Sequence, residues 1–293
     1  MHAAVEYLVE DLTQIAASKP KNALTIDVED YFQVAAFEQS IARKQWDSIE
    51  SRVALATGRA LDLFAAHGKT ATFFVLGWVA ERNHALVRRI VAEGHELASH
   101  GYEHTMIHQM TPAQFREEVT RVRKLLEDIS GVAVRGFRAP SFSIDSRNLW
   151  ALDILGETGH VYSSSIYPIH HDLYGMPDAP RFPFRLRPGA ILEIPVTTIR
   201  LGGRNFPCGG GGYFRLLPYF AFRWMLKRVN QSDRQPGVFY FHPWELDPDQ
   251  PRITHAPFKS RFRHYRNLDA THARLARLLT DFEWGRMDEV FGV

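Results

Sequence analysis

Cysteine is almost absent: Cys208 is the single one in 293 residues, so neither an intrachain disulfide framework nor a thiolate metal cluster can be built. Charge imbalance is lacking too. Lys and Arg total 35 against 33 Asp and Glu, a formal net charge of +2, and the two signs are interspersed, so nothing marks a nucleic-acid footprint. No apolar run approaches the ~20 residues that span a bilayer. The opening MHAAVEYLVEDLTQIAAS has neither the basic start nor the apolar core of a secretory signal, because Glu6, Glu10 and Asp11 interrupt it. The expected compartment is therefore the cytoplasm, with a position at the inner membrane as the way to meet an exported polymer. Val5, Leu8, Val9, Leu12 and Ile15 instead have helical spacing, which predicts an accessory helix over residues 1–21.

What is present is enough apolar material, 45% of residues, to bury a sizeable core. Short strand-like runs alternate with helical stripes. ALTIDV (23–28), TATFFVLG (70–77), HELAS (95–99), VRGFRAP (134–140), AILEIPVTTI (190–199) and GVFYFHP (237–243) read as strands. Between the third and fourth lies a well-marked helix. Thr111 is its N-cap, Pro112 its first residue and Gln114 its capping-box partner; Gly131 ends it. Leu275, Leu278, Leu279 and Phe282 mark a closing helix. This alternation predicts parallel pairing and a wound α/β sheet or barrel over 22–293, with 167–212 as a Pro- and Gly-rich excursion inside it.

Polar residues gather where the strands finish. Asp27, Glu29 and Asp30 end the first, His100 the third, Arg138 the fourth and His242 the last. In parallel α/β folds that edge is where active sites assemble. Histidines at 100 and 104, spaced i and i+4, together with nearby carboxylates would leave a divalent metal open positions for water and substrate.

TIDVED, ATFFVLGWVAE, GHELASHGYEH, GFRAP and FYFHPWE, in this order, resemble the successive motifs of polysaccharide deacetylases with the NodB homology domain. Within that family the chain is most similar to the exopolysaccharide-locus branch, through DVEDYF and a C-terminal FHPWELDP extension (about 245–293). The resemblance implies a distorted (β/α) barrel of about seven parallel strands and metal-dependent hydrolysis of N-acetyl groups from a sugar polymer, zinc being the expected ion. It implies roles as well. His100 and His104 match the metal-binding histidines, and Asp27 matches the base that takes a proton from water. Arg138 matches the arginine that pairs with that base, since a nearby opposite charge favours an ionised carboxylate. His242 matches the acid that protonates the departing amine. The third metal ligand is open between two acids. Glu29 shares the face of Asp27 if the strand continues, whereas Asp30 reaches in if the chain turns at Val28, and Asp30 is taken first.

Two departures stand out. Ser141 follows Pro140 where the family usually has an aromatic, which leaves its backbone N–H for the oxyanion but no ring for the sugar. Ser163 occupies a position where relatives of this branch commonly carry Asp. Tyr102, Trp244 and Tyr213, with Trp78 and Tyr31, are candidates to stack on sugar faces, and CGGGGYF (208–214) reads as a flexible loop shaping the cleft. His95 and His108 match no motif position. Two other readings compete: an amidohydrolase of small cyclic imides or ureides on the same barrel, and an inactive carbohydrate-binding relative.

Overall fold

In the computed structural model, which describes residues 8–9, 20–172 and 174–293, twelve strands run in chain order. They are β1 (Leu8–Val9), β2 (Asn22–Val28), β3 (Thr72–Val75), β4 (Glu96–Ser99), β5 (Gly136–Phe137), β6 (Tyr162–Ser163), β7 (Phe184–Arg185), β8 (Leu192–Glu193), β9 (Thr198–Leu201), β10 (Arg204–Pro207), β11 (Val238–Phe241) and β12 (Trp284–Gly285). The helices are α1 (Val53–His67), α2 (Gly77–Arg82), α3 (His84–Ala92), α4 (Pro112–Ser130), α5 (Trp150–Glu157), α6 (Gly211–Leu216), α7 (Tyr219–Arg228), α8 (Phe258–Tyr265), α9 (Leu268–Asp281) and α10 (Met287–Phe291).

β2 is buried over its whole length, so its sequence shows a continuous apolar run instead of alternation; both faces of a central parallel strand are covered. Around it the order β11-β2-β3-β4-β5-β6-β8 is parallel throughout. The sheet is curled. Its open side is bridged without a ladder: the Thr197 hydroxyl donates to the Val238 carbonyl and accepts from the Val238 N–H, and the Gly209 carbonyl accepts from the Tyr240 N–H. The expected seven-stranded parallel arrangement is therefore present as a curled sheet. β12 adds to β2, β7 runs antiparallel on β8, and β9 with β10 forms a separate hairpin.

Local signals set most of these elements. The Thr111 hydroxyl accepts from the Gln114 N–H, the Gln114 side chain reaches back, and Gly131 closes α4 at φ 75°. Leu268, Leu275, Leu278 and Leu279 are the buried stripe of α9, as the spacing predicts. The run 190–199 departs from expectation. It divides into β8 and the start of β9, because Pro195 has no N–H to offer a neighbour. At the N-terminus, Leu8 and Val9 form a strand antiparallel to β7 where a helical stripe was expected, because they pair with the edge Phe184–Arg185; residues 1–7 and 10–19 of that predicted helix lie outside the described residues, and residues 20 and 21 are not helical. Among the described residues, no helix is long and apolar enough to cross a membrane.

Candidate active site

The ends of β2, β4, β5 and β11 open into one cleft of about 320 Å³, lined among others by Asp27, Glu29, His100, His104, Ser141, Tyr213, His242 and Trp244. At its floor the Asp27 carboxylate lies 2.7 Å from the Arg138 guanidinium, both groups withdrawn from solvent. Arg138 also donates to the Thr25 hydroxyl, the Ser164 carbonyl and the Ser164 hydroxyl. Removing a charge pair from water is tolerable only when the remaining donors are satisfied in this way.

The chain turns immediately after β2, with the Glu29 N–H bonded to the Asp27 carbonyl, and this sends the next two acids in opposite directions. Glu29 points into the cleft. Its Oε2 is 2.9 Å from His104 Nε2, its Oε1 3.6 Å from His242 Nε2, and Trp244 Nε1–H donates to the same Oε1 at 3.3 Å. Burial pushes the Glu29 carboxyl up, but His104 and His242 outweigh it and hold it at about 2. Asp30 faces away. Its carboxylate accepts from the Ser51 hydroxyl at 2.6 Å and from the N–H groups of Arg52, Val53 and Tyr31, which makes it a cap for the N-terminus of α1. Asp30, taken first as the third ligand, is thus engaged outside the cleft: two of the groups it serves, the N–H groups of Arg52 and Val53, are donors that the start of α1 leaves without intrahelical partners.

Glu29, His100 and His104 offer ligand atoms that all lie within 4.8 Å of one another. Does this set fit a divalent ion? His100 Nδ1 sits 2.8 Å from the Arg138 carbonyl, which can only accept, so Nδ1 carries the proton and Nε2 keeps its lone pair. Burial pulls the His100 ring down to about 4, which keeps it neutral. Glu29 Oε2 is buried and its close approach to His104 is not a formed hydrogen bond. One carboxylate and two imidazoles, with a lone pair fixed by an outer contact, fit such an ion. His104 adopts φ 59° and Ser141 φ 54°, left-handed conformations that non-glycine residues hold at a cost where function requires it.

On the opposite wall, His242 follows β11. Its Nδ1 is 2.8 Å from Glu245 Oε1, which also accepts the His242 N–H. The second oxygen of Glu245 accepts from Arg215 Nε at 2.6 Å, and Arg215 reaches on to the carbonyls of Arg263, His264 and Arg266. Burial lowers the His242 pKa, yet Glu29, Glu245 and Asp27 drive it up to about 9. Sequence reasoning missed Glu245 and Arg215. For Glu245 a signal existed, since a histidine at a strand end with a Glu three residues later is a capping-box pattern; for a single arginine after a glycine run there was none.

The stacking candidates divide. Tyr213 lines the cleft. Trp244 also lines it, with its ring stacked against His242 at 5.1 Å and against His264 at 3.9 Å. Tyr102 is turned to the outer face, where its hydroxyl donates to Glu81 and Arg121 covers its ring; it packs there because Gly77 leaves room that a Cβ would occupy 2.5 Å from the ring. Pro140 is buried beneath Ser141, outside the cleft lining. Trp78 packs on Phe32 and Trp46 in the core, and Tyr31 donates to the Glu50 carbonyl. The glycine run serves close approach more than flexibility: at Gly210 (φ 123°) a Cβ would lie 2.0 Å from the Tyr240 carbonyl oxygen. Ser163, where an acid was missed, pairs in register with Glu193 on β8, whose carboxylate accepts the N–H groups of Ser165 and Ile166.

Comparison with known proteins bears on this geometry. The polysaccharide deacetylase family model matches residues 46–160, the stretch that holds His100, His104 and Arg138. Over that stretch the chain matches a polysaccharide deacetylase domain. A domain of unknown function (DUF3473) matches 164–292, so His242, Glu245 and Arg215 fall in it, while Asp27 and Glu29 precede both matches. A peptidoglycan-N-acetylglucosamine deacetylase from Bacillus cereus is 32% identical over 98 residues, 33% of this chain and 36% of the relative. A chitooligosaccharide deacetylase from Bradyrhizobium is 31% identical over 108 residues, 36% and 47% respectively. The chain thus spans under half the length of these two relatives. In fold the domain is similar to a protein from Mycobacterium smegmatis assigned as a polysaccharide deacetylase, with TM-score 0.62 at 18% identity over 94% of this chain and 90% of the other. It is also similar in fold to an allantoinase, with TM-score 0.58 at 15% identity over 93% and 89%.

Proposed function

We propose that this deacetylase-domain chain removes N-acetyl groups from an N-acetylated sugar or polysaccharide, working in the cytoplasm on a nascent or lipid-linked polymer. The observation that carries the reading is the meeting, in one cleft, of the Glu29–His100–His104 cluster with the Asp27–Arg138 pair and the Glu245-held His242. Glu29, His100 and His104 would hold the ion, and zinc suits two imidazoles and a carboxylate. Such an ion supplies Lewis acidity toward a carbonyl and a more acidic water.

The remaining work belongs to the chain. Asp27, fixed by Arg138, takes the proton of the attacking water. The backbone N–H of Ser141, set by its left-handed turn, stabilises the developing oxyanion. His242 delivers a proton to the departing amine nitrogen, and Glu245 holds the ring by Nδ1 so that Nε2 faces the cleft. The acid–base pair on opposite walls distinguishes this reading from an inactive binding module, which has no need of it.

Acetate release from chitooligosaccharides tests the proposal directly. Turnover is expected in the zinc-loaded protein, lost on chelation and regained on adding zinc. Absence of acetate release by metal-loaded protein, with hydrolysis of a cyclic ureide in its place, would assign the cleft to the other amidohydrolase chemistry.

A further inference from the structure

The outer wall of the cleft carries charge that the reaction leaves unused. The acids lining the cleft, Asp27 and Glu29, are both committed at the floor, the first to Arg138 and the second to the histidines. Arg215 is committed to Glu245 and to three main-chain carbonyls. Arg263 and Arg266 also line the cleft, beside Phe262 and Tyr213, and both are exposed. Arg266 has no carboxylate partner among the described residues; its guanidinium lies 5.3 Å from the Phe262 ring. Arg263 is 3.4 Å from Asp172, an acid that Lys259 already meets at 2.6 Å. Two cations on one carboxylate leave one positive charge over. The segment agrees: from Arg252 to Asn267 there are five Lys or Arg and no Asp or Glu, in a chain otherwise near neutrality.

We infer that this wall binds a carboxylate on the polymer, so that the substrate is an acidic glycan with an acid-bearing sugar beside the N-acetylated one. The inference rests on the deacetylase reading only for where the acetamide sits. A guanidinium presents paired donors that match a carboxylate, and Phe262 with Tyr213 offers apolar surface for the ring that bears it. An exposed charge at a cleft mouth also attracts an anionic chain from a distance, in a manner that salt screens.

Binding to Asp27→Asn protein, measured by calorimetry, tests this without turnover. The probes are a hexasaccharide alternating N-acetylglucosamine with glucuronate and its carboxyl-reduced counterpart. The acidic form is expected to bind about tenfold tighter, the size of one charge-assisted contact. Arg263→Gln with Arg266→Gln should close that gap, the two Lys substitutions should keep much of it, and high salt should shrink it. Equal affinity for the two probes, or a preference that survives the double Gln substitution, overturns the inference. Arginine-dependent binding to phosphatidylglycerol vesicles with no preference between the sugars also overturns it, and assigns the wall to a membrane. Failure of the deacetylase reading looks different: no acetate from neutral chitooligosaccharides, with the acidic preference intact.

Discussion

Asp27, His100 and Arg138 stand at the ends of the parallel strands β2, β4 and β5 of one sheet, held by short contacts: His100 to the Arg138 carbonyl between adjacent strands, and Arg138 to Asp27 across the curl of the sheet. His242 on the facing wall is held otherwise: by Glu245 from its own turn, and through it by Arg215 at α6, which in turn gathers the carbonyls at the end of α8. The first wall is built by sheet register and the second by a relay of side chains across the C-terminal segment. Register is cooperative and rigid, since shifting one strand moves all its residues. A relay fails one link at a time, and buried links that lose a partner leave an uncompensated charge. The two walls should therefore respond differently to substitution.

The largest effect belongs to the register-built wall. His100→Ala, His104→Ala and Glu29→Gln should each abolish both bound zinc and turnover, read by metal analysis and acetate release. Asp30→Asn should keep its metal and lose about 1–2 kcal/mol of stability through the α1 cap. Metal loss in Asp30→Asn with retention in Glu29→Gln would reverse the ligand assignment. Next in size, Asp27→Asn should retain zinc while turnover falls by about two to four orders of magnitude, the span of positioned proton transfer; loss of zinc there would make Asp27 a ligand.

The relay wall should fail by degrees. Glu245→Gln, which frees His242 to rotate and removes its carboxylate, should cost about a hundredfold in turnover with zinc unchanged, and Arg215→Gln less if Glu245 keeps its hold on the ring. Both should hurt less on an activated ester, whose leaving group needs no proton. Equal losses on ester and amide would make His242 a positioning group.

The smallest expected effect lies at the far end of β4 from His100 and serves as a control. Glu96 accepts from the hydroxyls of Thr72 and Tyr162, and burial with the Asp288 charge raises its carboxyl to about 7. A carboxyl raised in the folded state favours folding below its ordinary value near 4.5, and that contribution is lost as pH rises through about 7. Because the residue is partly exposed, the span is about 1–2 kcal/mol. Denaturant melts of Glu96→Gln should flatten across that window with zinc content unaltered. An unchanged pH slope would place the titration elsewhere.

The candidate site was legible in the sequence where groups that meet in space are also strand ends in series. The alternation of elements, the capped α4 and the apolar β2 were legible because each depends on contacts within a few residues, and the histidine pair was legible because its spacing is itself local. Other features depended on what lies across the molecule. Whether Glu29 or Asp30 enters the cleft turned on one backbone reversal after Val28 and on an α1 terminus in need of an acceptor. Trp244 and Tyr102 are aromatic in any reading, yet only packing decides that His242 and His264 cover one ring and that the other points outward. The Arg215–Glu245–His242 relay joins residues from separate helices and turns, and no periodicity encodes a contact of that kind. The sequence by itself determined most of the parallel strands and the chemical types at their ends; the tertiary structure decided which of those groups face one another, because direction is set by the turns and by the partners that each buried polar atom must find.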